Sequence, residues 1–169
     1  SSDTTESSHI IIEASSPVFE TKITKFYHNF DKSSNNDWET DWVFHNVGPK
    51  KDHCFILNRA AKAFNGDYSM AKKTGRAEIS VNLTGVKTAV LSCMVFSKNN
   101  FTKIWVRQAN GTSWVSYRVP VSKAYEKRCI QLPGPFDSTD KKHYNVMFGC
   151  DGSHDQHSYF CELVIDVSY

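Results

Sequence analysis

No apolar run in this chain approaches the ~18 residues that a membrane-spanning helix requires; the longest, Ala89 to Phe96, is only a strand's worth. The N-terminus lacks a basic segment followed by an apolar stretch, so the expectation is a chain whose signal peptide has been removed, or a piece of a larger protein. Charge of one sign is also missing: 20 Lys+Arg against 18 Asp+Glu leave +2, which excludes the basic footprint of a nucleic-acid binder. The pairs Lys50-Lys51, Lys72-Lys73 and Lys141-Lys142 are scattered and read as solvated loops. Gly-x-Ser-x-Gly, His-Glu-x-x-His and phosphate-cradling glycine loops are absent, so nothing points to an enzyme. Almost nothing keeps a helical period for three turns, and no internal repeat is visible. The best helical candidate is the short run from Asn58 to Phe64.

What is present is β chemistry. With 169 residues, 40% hydrophobic and 13% aromatic, the chain suits one domain with one core. Short runs rich in aromatic and β-branched residues predict strands at Val18–Tyr27, Trp42–His45, Cys54–Leu57, Tyr68–Lys72, Arg76–Val81, Thr88–Ser97, Lys103–Gln108, Ser113–Pro120, Glu126–Leu132, Tyr144–Gly149 and Tyr159–Val167. Turn residues intervene at Asn65-Gly66-Asp67, Thr84-Gly85, Asn110-Gly111, Pro133-Gly134-Pro135 and Asp151-Gly152-Ser153. This spacing predicts an all-β, two-sheet antiparallel β-sandwich. Residues 1–16 form a Ser/Thr-rich lead with a short edge strand at Ile10-Ile11-Ile12, and residues 17–169 the sandwich domain.

Asn110-Gly111, between two strand-like runs, suits a tight hairpin turn. Asn110 also opens one of three sequons, the others starting at Asn82 and Asn100, so a secreted glycoprotein is expected. Cys54, Cys93, Cys129, Cys150 and Cys161 show no tight zinc-ligand spacing, and disulfides are the commoner use in an oxidising compartment. Cys150 with Cys161, flanking a polar loop, is the first pairing to consider. Cys93 with Cys129 is the second, leaving Cys54 unmatched or bridging chains.

From Phe26 onward the landmarks resemble the MAM domain, an extracellular jelly-roll module. FYHNFDKSSNNDW is similar to that family's opening, Asp52-His53 to its Asp-His, Gly66-Asp67-Tyr68 to its Gly-x-Tyr, and Gly75-Arg76-Ala77-Glu78-Ile79 to its Gly-x-Ala-x-Leu strand. AVLSCMVF resembles its central strand, and YNVMFGCDGS followed by ELVIDVSY its closing pair. The chain departs from the family in lacking its early cysteine pair, in the late position of Cys93, and in Tyr125 where a Trp is usual. The resemblance implies a jelly roll that serves as an adhesion or interaction module, often self-associating, without a catalytic site.

Several residues are candidates for function. Trp105, Trp114 and Tyr117, with Arg107, Gln108 and Asn110 as hydrogen-bonding neighbours, would make a stacking platform for a sugar ring. Trp105, Tyr125, Arg128 and Phe136 are the aromatic and arginine anchors expected of a protein interface. A structural calcium ion would draw on Asp31, Asp37, Asp41 and Asp166, with Asp31 and Asp166 favoured because the resemblance links first and last strands. His143, His154, Asp155 and His157 offer borderline-metal ligands on a loop with nothing rigid to fix them. The leading expectation is a secreted or cell-surface domain that binds an extracellular protein or itself, in adhesion, receptor recognition or host-factor interference. It needs no cofactor, binds no nucleic acid and inserts in no membrane. The alternative is a carbohydrate-binding module or lectin.

Overall fold

The structure, a computed structural model, describes residues 5–11, 23–28, 42–45, 55–57, 69–72, 75–107, 113–136, 144–151 and 158–169. These hold twelve strands: β1 (Thr5–Ile11), β2 (Ile23–His28), β3 (Trp42–His45), β4 (Phe55–Leu57), β5 (Ser69–Lys72), β6 (Gly75–Val81), β7 (Thr88–Phe96), β8 (Thr102–Arg107), β9 (Ser113–Arg118), β10 (Glu126–Gln131), β11 (Tyr144–Cys150) and β12 (Ser158–Ser168). No described segment is a helix able to cross a membrane.

Side-chain alternation decides which face each strand buries. In β6, Ala77, Ile79 and Val81 are buried while Arg76, Glu78 and Ser80 point the other way, the period-2 pattern of a strand with one face on a core. The strands form two sheets. The first runs β1-β9-β8-β11-β6-β3; the second runs β10-β7-β12-β5-β4, with β2 also paired to β12. Only β4 to β5 and β8 to β9 are consecutive within one sheet; every other step from one of these strands to the next changes sheet, the interleaving of a jelly roll. Between the sheets lie Ile79, Leu91, Val95, Ile104, Val146, Phe148, Phe160, Leu163 and Ile165, among others. Phe148 of one sheet meets Phe160 of the other at 5.4 Å between ring centroids. Each such fully buried apolar side chain contributes roughly 1.5–3 kcal/mol.

The all-β sandwich expected from sequence is the fold observed, with two differences. β1 begins at Thr5, earlier than the isoleucine run, and pairs with β9 in parallel rather than antiparallel. β2 begins at Ile23. The helical candidate at 58–64 lies outside the described residues. β8 and β9 pair antiparallel with Trp105 opposite Ser116, a register symmetric about Asn110-Gly111, which themselves lie outside the described residues.

The expected cysteine bridges are not formed: Cys93, Cys129, Cys150 and Cys161 are buried thiols. Register explains this. Cys129 stands opposite Ser92, and Arg128 opposite Cys93, so the two cysteines of that pair face opposite sides of one sheet. Cys150 shares the inward parity of Phe148, whereas Cys161 stands opposite Met94 on the outward side of the other sheet. The thiols hydrogen-bond instead: Cys93 Sγ donates to Cys161 O at 3.3 Å, and Cys129 Sγ to Ser92 Oγ at 3.6 Å. Burial, then the neighbouring Cys161, pushes the Cys93 thiol up, which keeps it an unreactive thiol. Cys54 lies outside the described residues.

Two core tyrosines are expected to make the fold alkali-sensitive. Tyr144 is buried and donates to Pro133 O at 3.1 Å; burial, then the neighbouring Tyr117, raises its phenol far above the ordinary value. Burial raises Tyr117 as well. Below pH ~10 both folded and unfolded chains keep these protons, so their effect on stability is constant. Above it the unfolded chain ionises first, and stability is expected to fall steadily with pH. Chemical denaturation at pH 8 to 11.5 checks this, with Tyr144→Phe flattening the alkaline limb.

Candidate functional site

Trp105, Arg107 and Trp114 share the outward face of the first sheet. Trp105 stands between Ser116 of β9 and Met147 of β11, and Glu78 of β6 follows in the same row. The expected platform is not available for stacking. Trp105 is 0% and Trp114 2% exposed, and with Met147 they form a small second core. The Arg107 guanidinium lies 4.5 Å from the centre of the Trp114 ring, and that of Arg76 4.1 Å from Trp105. Those cations occupy ring faces that a sugar would use. Tyr117 has the opposite parity and belongs to the main core.

The expected protein-interface anchors are similarly engaged. Arg128 faces inward on β10, buried, with its guanidinium on Glu126 Oε2 at 2.6 Å. Phe136 packs against the core and against Tyr144 at 5.7 Å. Tyr125 is half-buried, edge-on to Phe96 at 5.8 Å.

Tyr125 leads to a different face. On the outward side of the second sheet, even-numbered residues of β7 are in register with neighbours on both sides, forming rows across the strands. Phe96 stands opposite Tyr159 and carries Tyr125 on its other side, while Lys98 Nζ lies 5.4 Å over its ring. The next row is Lys127, Met94 and Cys161; then Cys129, Ser92, Val164 and Tyr27; then Gln131, Val90, Asp166 and Thr24. Between the second and third rows β12 carries a bulge, Glu162 and Leu163 together opposing Cys93. Glu162 adopts φ 49°, a left-handed conformation uncommon for a residue with a side chain.

A groove of about 350 Å³ runs over these rows, lined by Thr24, Ser92, Met94, Lys127, Glu162, Val164 and Asp166 beside Cys93. Met94 and Val164 give it an apolar floor. The charged and hydroxyl groups stand around that floor, and Thr24 Oγ1 donates to Asp166 Oδ1 at 2.8 Å. The aromatic pair Phe96 and Tyr125 lies in the next row beyond Lys127 and Met94, outside the groove's lining.

Of three comparisons with known proteins, one places the fold among known structures. No family model matches the chain, and no curated protein does either. Solved structures do match. The enzymatically active domain of tailspike protein 4 from bacteriophage CBA120 superposes with TM-score 0.60 at 11% identity, over 86% of this chain and 22% of that one. The K1 cleaved adhesin domain of Lys-gingipain from Porphyromonas gingivalis gives 0.58 at 10% identity, over 86% and 97%. A family 29 carbohydrate-binding module gives 0.51 at 14% identity, over 86% and 91%. What they share is the fold. The chain spans only about a fifth of the tailspike structure, but nearly the whole of the adhesin domain and of the carbohydrate-binding module.

Of the other candidates, Asp166 joins β12 to β2 through Thr24, linking the last strand to an early one. Its expected calcium partners Asp31, Asp37 and Asp41 lie outside the described residues, as do His143, His154, Asp155, His157, Gln108 and Asn110. Among the described residues no cluster of three His, Cys, Asp or Glu could hold a metal. Asn82 and Asn100 are exposed, and neither lines the groove. Phe96 escaped sequence reasoning because β7 reads there as apolar on both faces, and the parity of Ser92, Met94 and Phe96 against Leu91, Cys93 and Val95 is the signal that would have found it. Lys127 of β10 and Glu162 of β12 escaped because only pairing with β7 brings them to the same groove.

Proposed function

We propose that this chain is a non-catalytic glycan-binding module whose site is the groove on the outward face of the second sheet. The observation that carries this reading is the combination of a half-buried tyrosine one row beyond the groove, an apolar floor within it, and hydrogen-bonding groups of both kinds. Sugar rings present apolar C–H faces to the first two and hydroxyls to the third. Tyr125 supplies the ring from the neighbouring row, where Phe96 already carries Lys98 over its face; Met94 and Val164 supply the floor, Lys127 the donor, and Glu162 and Asp166 the acceptors. The likeness in fold to a carbohydrate-binding module and an adhesin domain supports a binding role. The three sequons and the MAM-like landmarks support an extracellular setting. A protein partner has less support, since Trp105 and Arg128 are buried.

A glycan microarray probed with the fluorescent, multimerised domain tests this. Wild type is expected to bind a subset of oligosaccharides, and Tyr125→Ala to lower the signal about tenfold with little change in Tm. Roughly 1.4 kcal/mol is a reasonable share for one sugar-facing ring. Cell binding that is lost on surface proteolysis but survives glycan removal would overturn the reading in favour of a protein receptor.

A further inference from the structure

We propose that the two described sequons are modified at different stages: Asn82 accepts an N-linked oligosaccharide on the folded domain, whereas Asn100 accepts one only before β8 is locked in place. The inference goes beyond the glycan-binding reading and is independent of what the groove binds. Two groups matter in each sequon, the Asn amide nitrogen and the hydroxyl two residues on. Transfer forms a bond from Asn Nδ2 to the anomeric carbon of a lipid-pyrophosphate oligosaccharide. The bond from that carbon to phosphate breaks, the lipid pyrophosphate leaves with the electron pair, and the amide gives up one proton. The transferring enzyme must reach both side chains.

At Asn82-Leu83-Thr84 both are open. Asn82 and Thr84 are exposed while Leu83 between them is buried, so the chain turns its two acceptor groups outward. The hydrogen bonds there are local: Thr84 N donates to Asn82 Oδ1 at 3.0 Å, and Val86 N to Leu83 O at 3.2 Å. Neither uses Asn82 Nδ2 or the Thr84 hydroxyl. Asn100-Phe101-Thr102 is different. Asn100 is exposed, but Thr102 is 0% exposed. Its hydroxyl donates to Asn99 Oδ1 at 3.0 Å and is hydrogen-bonded to Ser158 Oγ, with Cys150 Sγ 4.0 Å away. The backbone is tied down as well: Phe101 N donates to Asn99 Oδ1 at 2.9 Å, Asp151 N to Phe101 O at 3.0 Å, and Val119 N to Thr102 O at 3.0 Å. Freeing that hydroxyl means opening the end of the sandwich where β8, β11 and β12 meet.

The order of synthesis supplies the interval. Ser158 lies 56 residues after Thr102. At roughly 5–20 residues per second a ribosome needs about 3–11 s to reach it, and until then the Thr102 hydroxyl lacks its partner. The two oligosaccharides stand at opposite ends of the sandwich, since Asn82 follows Val81 beside the start of β11 and Asn100 precedes Thr102 beside its end.

The test supplies oligosaccharyltransferase and the lipid-linked oligosaccharide to two forms of the chain. One is the unglycosylated domain, already folded; the other is the same chain synthesised into microsomes behind a cleavable signal sequence. Glycan release in heavy-oxygen water, followed by peptide mass spectrometry, reads the occupancy of each asparagine. Both sites should be filled on the chain made in microsomes. On the folded domain Asn82 should be filled and Asn100 about tenfold less so, although a peptide spanning residues 97–104 in the same tube is modified. Asn100 filled as readily on the folded domain as during synthesis would overturn the inference. So would Asn82 and Asn100 equally refractory on the folded domain, since exposure would then not decide the difference. Asn100 left empty in microsomes would overturn it too.

Discussion

Replacing Gly149 with alanine is expected to destabilise the domain by about 4 kcal/mol, among the largest effects that one methyl group produces. Gly149 lies in β11, between Arg76 of β6 and Lys103 of β8, with φ 154°. A Cβ there would stand 2.2 Å from Gly75 O and 2.8 Å from Arg76 Cα. Both obstacles are backbone, so no side chain can rotate away. β6 and β11 would have to separate where their ladder ends, and the two phenylalanines beneath would shift with them. The missing side chain also leaves room over the sheet for Arg76 to lean onto Trp105. Gly85→Ala is the control, because Gly85 also has positive φ, 79°, but nothing within 4 Å of an added Cβ. Its cost should be only the ~1 kcal/mol of the backbone conformation. Urea denaturation of the two variants measures the difference; equal losses would show that strand contact is not the cause.

Trp105→Ala is expected to cost about 4 kcal/mol, the range for removing a large aromatic side chain from a packed interior. Trp105 is wholly buried against Trp114 and Met147, and the cation–π contact with Arg76 goes with it. Glycan binding should fall only as far as the folded fraction does. Trp105→Phe separates the two roles, since it keeps most of the apolar volume and should preserve both fold and binding. If Trp105→Phe folded normally yet lost glycan binding, the site would lie on the first sheet after all.

These two residues show where the sequence was informative and where it was not. Alternation in Arg76–Val81 was legible, because a strand with one face on the core must repeat every second residue. The antiparallel pairing of β8 with β9 was equally legible, since a short polar link between two β-rich runs is a local signal. Which face is outward, and what covers it, depends on pairing between distant strands. Trp105 and Trp114 carry the composition of a sugar platform, but Arg107 on the same strand as Trp105, and Arg76 and Met147 from distant strands, occupy their surroundings. The Cys93–Cys129 pairing failed for a similar reason: a one-residue offset in register set the two thiols on opposite faces. Glu162 leaves no local mark, because Glu-Leu announces a bulge no more than any other dipeptide. The groove depends on four strands far apart in sequence, β2, β7, β10 and β12, and only their register assembles it.

The most direct single measurement is a two-dimensional ¹H–¹⁵N NMR titration of the domain with an oligosaccharide that binds it on the array. Glycan binding in the groove predicts saturable shifts concentrated at the amides of Met94, Phe96, Lys127, Glu162 and Val164, with the indole signals of Trp105 and Trp114 unmoved. Shifts centred on those two indoles, with the groove silent, would contradict it.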